Sequence, residues 1–275
     1  MNSIQERIND QYKYAVSKYG DHILGVFLYG SQNYNIHTED SDIDTKAIYI
    51  PTLDEIAADV APISKELSYG NRGEHIEVKD IRLMCQMWKK QNMNFLEILY
   101  TKFFVLNPKY ADIFNQSFVL YRSNISAYNI HQMVQSTIGQ IKSTMKQATA
   151  ETTDPAAVGK KIANCFRLYF FCDDFLENNL THYQDAMYIS DEDTRQNLLN
   201  LKQQPFFDKE TIATYAQLIS YLCNNLEKRV DEFDVNQDNR HLVDTILISG
   251  TKRLICKISN LHYNFERLGS RIFEI

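Results

Sequence analysis

Apolar positions recur at helical spacing near the start of the chain, at Ile4, Ile8, Tyr12, Ala15 and Tyr19, and predict an amphipathic helix ended by Gly20 and Asp21. The pattern then changes. His22 to Tyr29 is almost wholly apolar and fits a buried strand, with Gly30 and Ser31 directly after it. Beyond a polar stretch from Gln32 to Glu39, residues 42–50 alternate around two aspartates as a second strand and stop at Pro51. A short helix is expected over 53–60, a hairpin over 66–78 turning at Gly70 to Gly73, and a helix running from an Asp80 cap to Lys90. From about residue 108 the 3.6-residue period holds to the end, with helices predicted over 127–148, 156–178, 193–201, 209–233 and 241–260. No internal repeat interrupts it. The chain therefore reads as a small mixed α/β half, 1–107, followed by an all-helical half, 108–275.

Composition narrows the classes. With 44% hydrophobic residues, including 17 Tyr and 15 Phe, the chain can bury a real core, and 23% charged residues give no sign of disorder. A net charge of −6 argues against a basic coat for sequence-independent nucleic-acid binding and leaves room for a local basic pocket. Recognition of a DNA sequence is not expected. The five cysteines are odd in number and form no C-x-x-C pair, so neither a zinc ribbon nor a disulfide framework is expected. Cys165 and Cys172, seven apart, read as buried thiols on one helix face, and Trp88 and Phe166 read as core. The first ten residues lack an apolar secretory segment and no apolar run reaches membrane-spanning length, so the expected location is cytoplasmic, without a membrane partner.

The stretch from Leu28 to Lys46 carries the chemistry. A buried strand that ends in Gly30-Ser31 at a helix start makes a phosphate seat, because glycine admits an anion to the backbone and a helix N-terminus offers unpaired N–H groups. Asp42 and Asp44 stand two apart on the predicted second strand, which puts both carboxylates on one face with backbone positions roughly 6–7 Å apart. Side chains leaning together from there can share metal ions. Ile43 between them would point into the core.

This constellation resembles the DNA polymerase beta-like nucleotidyltransferase superfamily. Tyr29-Gly-Ser-x-Asn33-Tyr34, then Ser41-Asp-Ile-Asp-x-Lys46-Ala-Ile48, is similar to the predicted bacterial and phage nucleotidyltransferases of the RNA-ligase-associated type. Further similarity extends to Glu77, Arg82, the stretch from Lys89 to Leu99 with Asn92, Asn94 and Glu97, and Lys160-x-x-x-Asn164-x-x-Arg167. The resemblance covers most of the first 110 residues well and the helical half loosely. It implies an α+β fold, a mixed sheet of four to five strands with flanking helices followed by a helical bundle that completes the cleft. It implies two magnesium or manganese ions, a nucleoside triphosphate substrate with ATP foremost, and transfer of a nucleoside monophosphate to an acceptor hydroxyl on an RNA end, a protein or a small molecule.

The superfamily also implies a third carboxylate from a neighbouring strand. Glu77, between Ile76 and Val78, is the first candidate; Asp80 suits a helix cap and Glu74 lies beside the turn. On this reading Asp42, Asp44 and Glu77 hold metal, Gly30 and Ser31 hold phosphate, and Lys46 is a phosphate neighbour. In the helical half, Lys160, Asn164 and Arg167 fall at i, i+4 and i+7, one polar stripe on a helix otherwise apolar. The stripe is either a solvated face or the cationic wall of the cleft. As a wall it would hold opposite ends of one nucleotide, and Arg167→Ala would weaken triphosphate binding without touching the fold. Glu97 is equally an interior salt bridge or a cap. The competing function is a catalytically quiet nucleotide-binding or antitoxin-like protein on the same fold; an antibiotic-modifying enzyme is permitted by the acidic balance, with no residue pointing to it.

Overall fold

The computed structural model describes residues 3–38, 41–70, 73–150, 152–234 and 236–260. Helix α1 (Ile4–Tyr19) starts at a capping box, in which the Ser3 hydroxyl accepts from the Glu6 amide and the Glu6 carboxylate accepts from the Ser3 amide. Strand β1 (Ile23–Tyr29) follows, then β2 (Asp44–Tyr49), the short helix α2 (Leu53–Ala57), and the pair β3 (Ser64–Tyr69) and β4 (Glu74–Asp80). Helices α3 (Ile81–Lys89) and α4 (Met93–Leu96) lead to β5 (Phe104–Leu106). The five strands form one sheet in the order β3-β4-β2-β1-β5, with β2 and β4 parallel and the other neighbours antiparallel. All described strands precede residue 107.

The rest is helical: α5 (Ala111–Phe114), α6 (Arg122–Ser126), α7 (Ile130–Ala148), α8 (Pro155–Glu177), α9 (Tyr183–Met187), α10 (Glu192–Gln203), α11 (Lys209–Val230) and α12 (Gln237–Ile258). The fold is thus α+β, as expected. Alternation gives the sheet two apolar faces. Val26, Leu28, Ala47, Ile76 and Val78 pack against Ile8 and Ala15 of α1, with Ile43 buried among them as the sequence predicts. The opposite face, with Phe27 and Ile48, joins a larger core holding Trp88, Phe118 and Cys172 that continues through α7, α8, α11 and α12.

Several boundaries differ from expectation, each for a local reason. β2 begins at Asp44, not at 42, because its partner β1 ends opposite it at Tyr29 and then turns away at Gly30, whose φ of +91° only glycine adopts readily. Asp42 therefore lies outside the ladder. No helix starts at Gly30-Ser31; the segment closes as successive turns, with Asn33, Tyr34 and Ile36 amides donating to the Gly30 and Ser31 carbonyls. Asn35 at φ +63° interrupts any helical run there. α7 begins at Ile130 because the Asn129 side chain caps it, accepting from the Gln132 amide at 3.2 Å. α10 runs to Gln203, beyond the predicted 201, which takes Lys202 into the helix. The expected hairpin forms, with Asn71 and Arg72 of its turn outside the described residues.

α8 starts where Asp154 accepts from the Ala156 amide and Pro155 occupies the first turn. Its Gly159 meets α10 backbone to backbone: a Cβ there would lie 2.1 Å from the Leu201 carbonyl oxygen. That approach sets Lys160 on one helix beside Lys202 on the other.

Candidate functional site

A cleft of about 540 Å³ opens between the end of β1 and the α8–α10 pair. From the sheet it is lined by Tyr29, Gly30, Ser31 and Asp44; from the helices, by Lys160, Asn164, Arg167 and Lys202. The residues of the Gly-Ser motif, the second aspartate and the helical stripe thus share one cavity.

Asp44 ends the ladder half-buried, its Oδ1 accepting from the His75 amide at 3.3 Å. Burial raises its carboxyl above the ordinary value; the His75 amide opposes this, and the neighbouring Asp42 charge adds to it. Asp42 is exposed. The backbone between them is pinned from α1, since the fully buried Gln11 donates to the Ile43 carbonyl at 2.8 Å and accepts from the Thr45 hydroxyl. Gln11 also donates to Glu74 at 2.9 Å, so one amide fixes the entry to β2 against β4.

Of the three candidate third acids, only Glu77 shares a face with Asp44: it pairs across β4 with Lys46, two residues along β2 from Asp44. Its oxygens are already engaged. Lys46 binds Oε2, and Lys79 binds Oε1 at 2.8 Å. Burial pushes the Glu77 carboxyl up, but the two lysines outweigh burial and hold it below the ordinary value. Lys46 is itself buried, with its ammonium 3.9 Å from the Tyr29 ring centre and 4.3 Å from that of Phe95. Glu74 faces α1 and pairs with Arg7, while Asp80 caps α3 and binds the Arg82 guanidinium. Among the described residues, no three His, Cys, Asp or Glu side chains converge as a metal group. Asp42 and Asp44 remain as two adjacent carboxylates, hard oxygen donors of the type magnesium and manganese take, and their mutual repulsion is what a divalent cation relieves.

The Gly-Ser loop hangs on a residue whose role the sequence leaves open. Glu97 is 1% exposed and lies under the loop, where its Oε2 accepts from the Gly30 amide and from the Asn33 side chain, both at 3.3 Å. Asn33 also donates to the Leu28 carbonyl at 3.0 Å and accepts from Thr101 at 2.8 Å. Burial raises the Glu97 carboxyl; the Tyr34 phenol and the Arg167 charge oppose it. Arg167 is 4% exposed and stacks 3.8 Å from the Tyr34 ring centre. Its guanidinium donates twice to Asn164 Oδ1, at 3.1 and 3.0 Å. The stripe is therefore no solvated face. Arg167 and Asn164 support the loop from beneath, and Lys160 is the exposed cation of the three.

Lys202 escapes sequence reading altogether. Its ammonium donates to the Ile36 carbonyl at 3.0 Å and the Ser41 hydroxyl at 3.4 Å, bracing the spacer that joins the two motifs. Burial lowers its pKa, Lys160 adds to this, and Asp42 opposes it. The only signal in the sequence is that 202 continues the face of a helix whose end is hard to locate. Neither the protein-family models nor the curated proteins contain a match to this chain.

Proposed function

We propose that the protein is a metal-dependent nucleotidyltransferase that moves a nucleoside monophosphate from a triphosphate, ATP foremost, to an acceptor hydroxyl. The observation that carries this reading is the shared cleft, in which Gly30, Ser31 and Asp44 face Lys160 and Lys202. Lysines opposite a carboxylate with a second carboxylate beside it are the arrangement a polyanion bridged to a cation requires. Ser31 and Lys160 bind phosphate oxygens, Lys202 holds the spacer against them, and Asp42 and Asp44 would hold magnesium or manganese. When bound, the metal supplies positive charge that lowers the pKa of the acceptor hydroxyl and neutralises the leaving group. The acceptor hydroxyl gives its proton to solvent and its oxygen bonds to the α-phosphorus as the bond from that phosphorus to the α–β bridging oxygen breaks, and pyrophosphate leaves with that electron pair. The chain's contribution is positioning and charge. The acceptor class is an RNA end, a protein or a small molecule.

The second reading is a catalytically quiet nucleotide-binding protein. It is favoured by one observation, the engagement of Glu77 by two lysines, which withholds the third carboxylate. One experiment separates the two. The protein is incubated with magnesium and each of four triphosphates labelled at the α-phosphate, with total RNA and then with protein extract. Pyrophosphate release with label on an acceptor is the transferase outcome, and Asp42→Asn should weaken metal-dependent binding by about 10–100-fold. Binding without turnover on any acceptor would leave the quiet protein. Absence of triphosphate binding both with and without metal would remove both.

A further inference from the structure

The spacer between the two motifs borders two cavities. Ile36 and Asp44 line the cleft, whereas His37, Thr38 and Ser41 line a second cavity of about 530 Å³. The end of α10 divides in the same way, Lys202 belonging to the cleft and Gln203 to the second cavity. We propose that the second cavity is the acceptor site, and that the acceptor it takes carries a phosphate group. This rests on the transferase reading and names the substrate class that reading leaves open.

Two observations carry it. The first is position. The cavities meet at the aspartate pair: Asp44 lines the cleft, and Asp42 directly follows Ser41 in the wall of the second cavity. Ser41 also accepts from Lys202 at 3.4 Å, so the two walls touch. In-line displacement puts the attacking and leaving oxygens on opposite sides of the phosphorus. With a triphosphate in the cleft, the second cavity is the adjoining space from which a hydroxyl approaches.

The second is charge. Arg195 lines the cavity, its guanidinium fixed by Nε donating to the Asn35 carbonyl and Nη1 to Glu192, both at 2.9 Å. Its Nη2 makes no hydrogen bond among the described residues. The Glu192 side chain is 73% exposed, so water screens its charge. A planar fork already held in place is well suited to phosphate oxygens. Arg7 stands on the α1 side, tied to Glu74. Among the described residues, no carboxylate lines the cavity. A positive potential reaches its wall: burial first, then the charges of Arg195 and Lys202, hold the His37 imidazole below its ordinary value. The acceptor's source is either a free nucleotide or the end of an RNA strand, which share a phosphate beside a hydroxyl.

The test uses the full chain and reads binding, not turnover. Adenosine, adenosine 5′-monophosphate and a six-nucleotide RNA bearing a 5′-phosphate are titrated by calorimetry. Each titration is run on the free protein and again with the cleft filled by magnesium and an α,β-methylene triphosphate. At least one phosphate-bearing probe should saturate one site in both settings, and adenosine should not. Binding of the monophosphate identifies a free nucleotide as the source; binding of the RNA alone identifies a strand. Arg195→Gln should weaken that binding about 10-fold. Gln203→Glu, an exposed substitution that removes no hydrogen bond, should weaken it about 3-fold or more. Lys160→Glu, in the cleft, should leave it unchanged. Circular dichroism checks that each variant folds. The acceptor site is overturned if neither phosphate-bearing probe binds, if adenosine binds as tightly, if the triphosphate displaces the probe, or if both cavity variants bind like the parent. Probe binding through Arg195 without any triphosphate binding would instead remove the transferase reading, and the acceptor role with it, leaving an anion site.

Discussion

Glu97 shows how one buried carboxylate organises a loop that its own neighbours in sequence do not explain. The Gly30 amide and the Asn33 side chain both end on it, so truncation strands two donors. Glu97→Ala should cost about 2–4 kcal/mol in unfolding free energy, whereas Glu97→Gln keeps an acceptor in place. Burial raises the Glu97 carboxyl. A raised carboxyl keeps its proton longer in the native state, so its contribution to stability is greatest below the unfolded value, near pH 4, and declines as pH rises through the folded value. The melting temperature of Glu97→Gln relative to the parent should therefore increase from pH 4 to pH 8; a difference that stays flat or falls over that range would contradict a raised carboxyl. Arg167 follows the same logic. The sequence alone suggests that Arg167→Ala spares the fold, but a guanidinium stacked on Tyr34 and facing buried Glu97 is part of the interior. Its removal should cost about 3 kcal/mol, read by urea denaturation, before any effect on nucleotide appears.

At the level of elements, the contact between α8 and α10 decides whether Lys202 joins the α8 lysines, Lys160 and Lys161, in the cleft. Lys202 braces the spacer between Gly30-Ser31 and Asp42 through Ile36 and Ser41. Lys202→Met should weaken triphosphate binding by about 10-fold or more, and Lys202→Arg should restore part of it; equal affinity in parent and Met variant, measured by calorimetry, would exclude the brace. Gly159→Ala drives a methyl into the Leu201 carbonyl, so α10 must shift and stability should fall by about 1–3 kcal/mol. Much of this level was legible beforehand. The helices α7, α8 and α11 follow from their period, β1 from its apolar run and the β3–β4 hairpin from its turn residues. Other features depend on partners far away in the chain. β5 is three residues long and exists through its pairing with Gly25, Val26 and Phe27. The start of β2 is set by where β1 turns away, and the turn that replaces a helix after Gly30 is tied down by a carboxylate 67 residues later.

For the molecule as a whole, the larger core runs without interruption from Leu24 and Phe27 of the sheet to Val243 and Leu254 of α12. A division near residue 108 separates strands from helices in sequence, yet it does not separate two cores. Thermal unfolding should accordingly be a single transition in which far- and near-ultraviolet dichroism coincide, and two resolved transitions would show that the halves fold independently. Among the described residues, no helix is long and apolar enough to cross a membrane. The brace from Lys202 to Ser41 spans 161 positions of sequence, and this has a consequence in time. A ribosome delivers the aspartate pair first and its facing lysine on the order of 10–30 s later. Through that interval the nascent chain carries an acidic edge whose spacer lacks the Lys202 brace. Chains arrested before α10 emerges should therefore bind triphosphate with metal about 10-fold or more weakly than the full chain, with the rest of the affinity gained once Lys202 is in place.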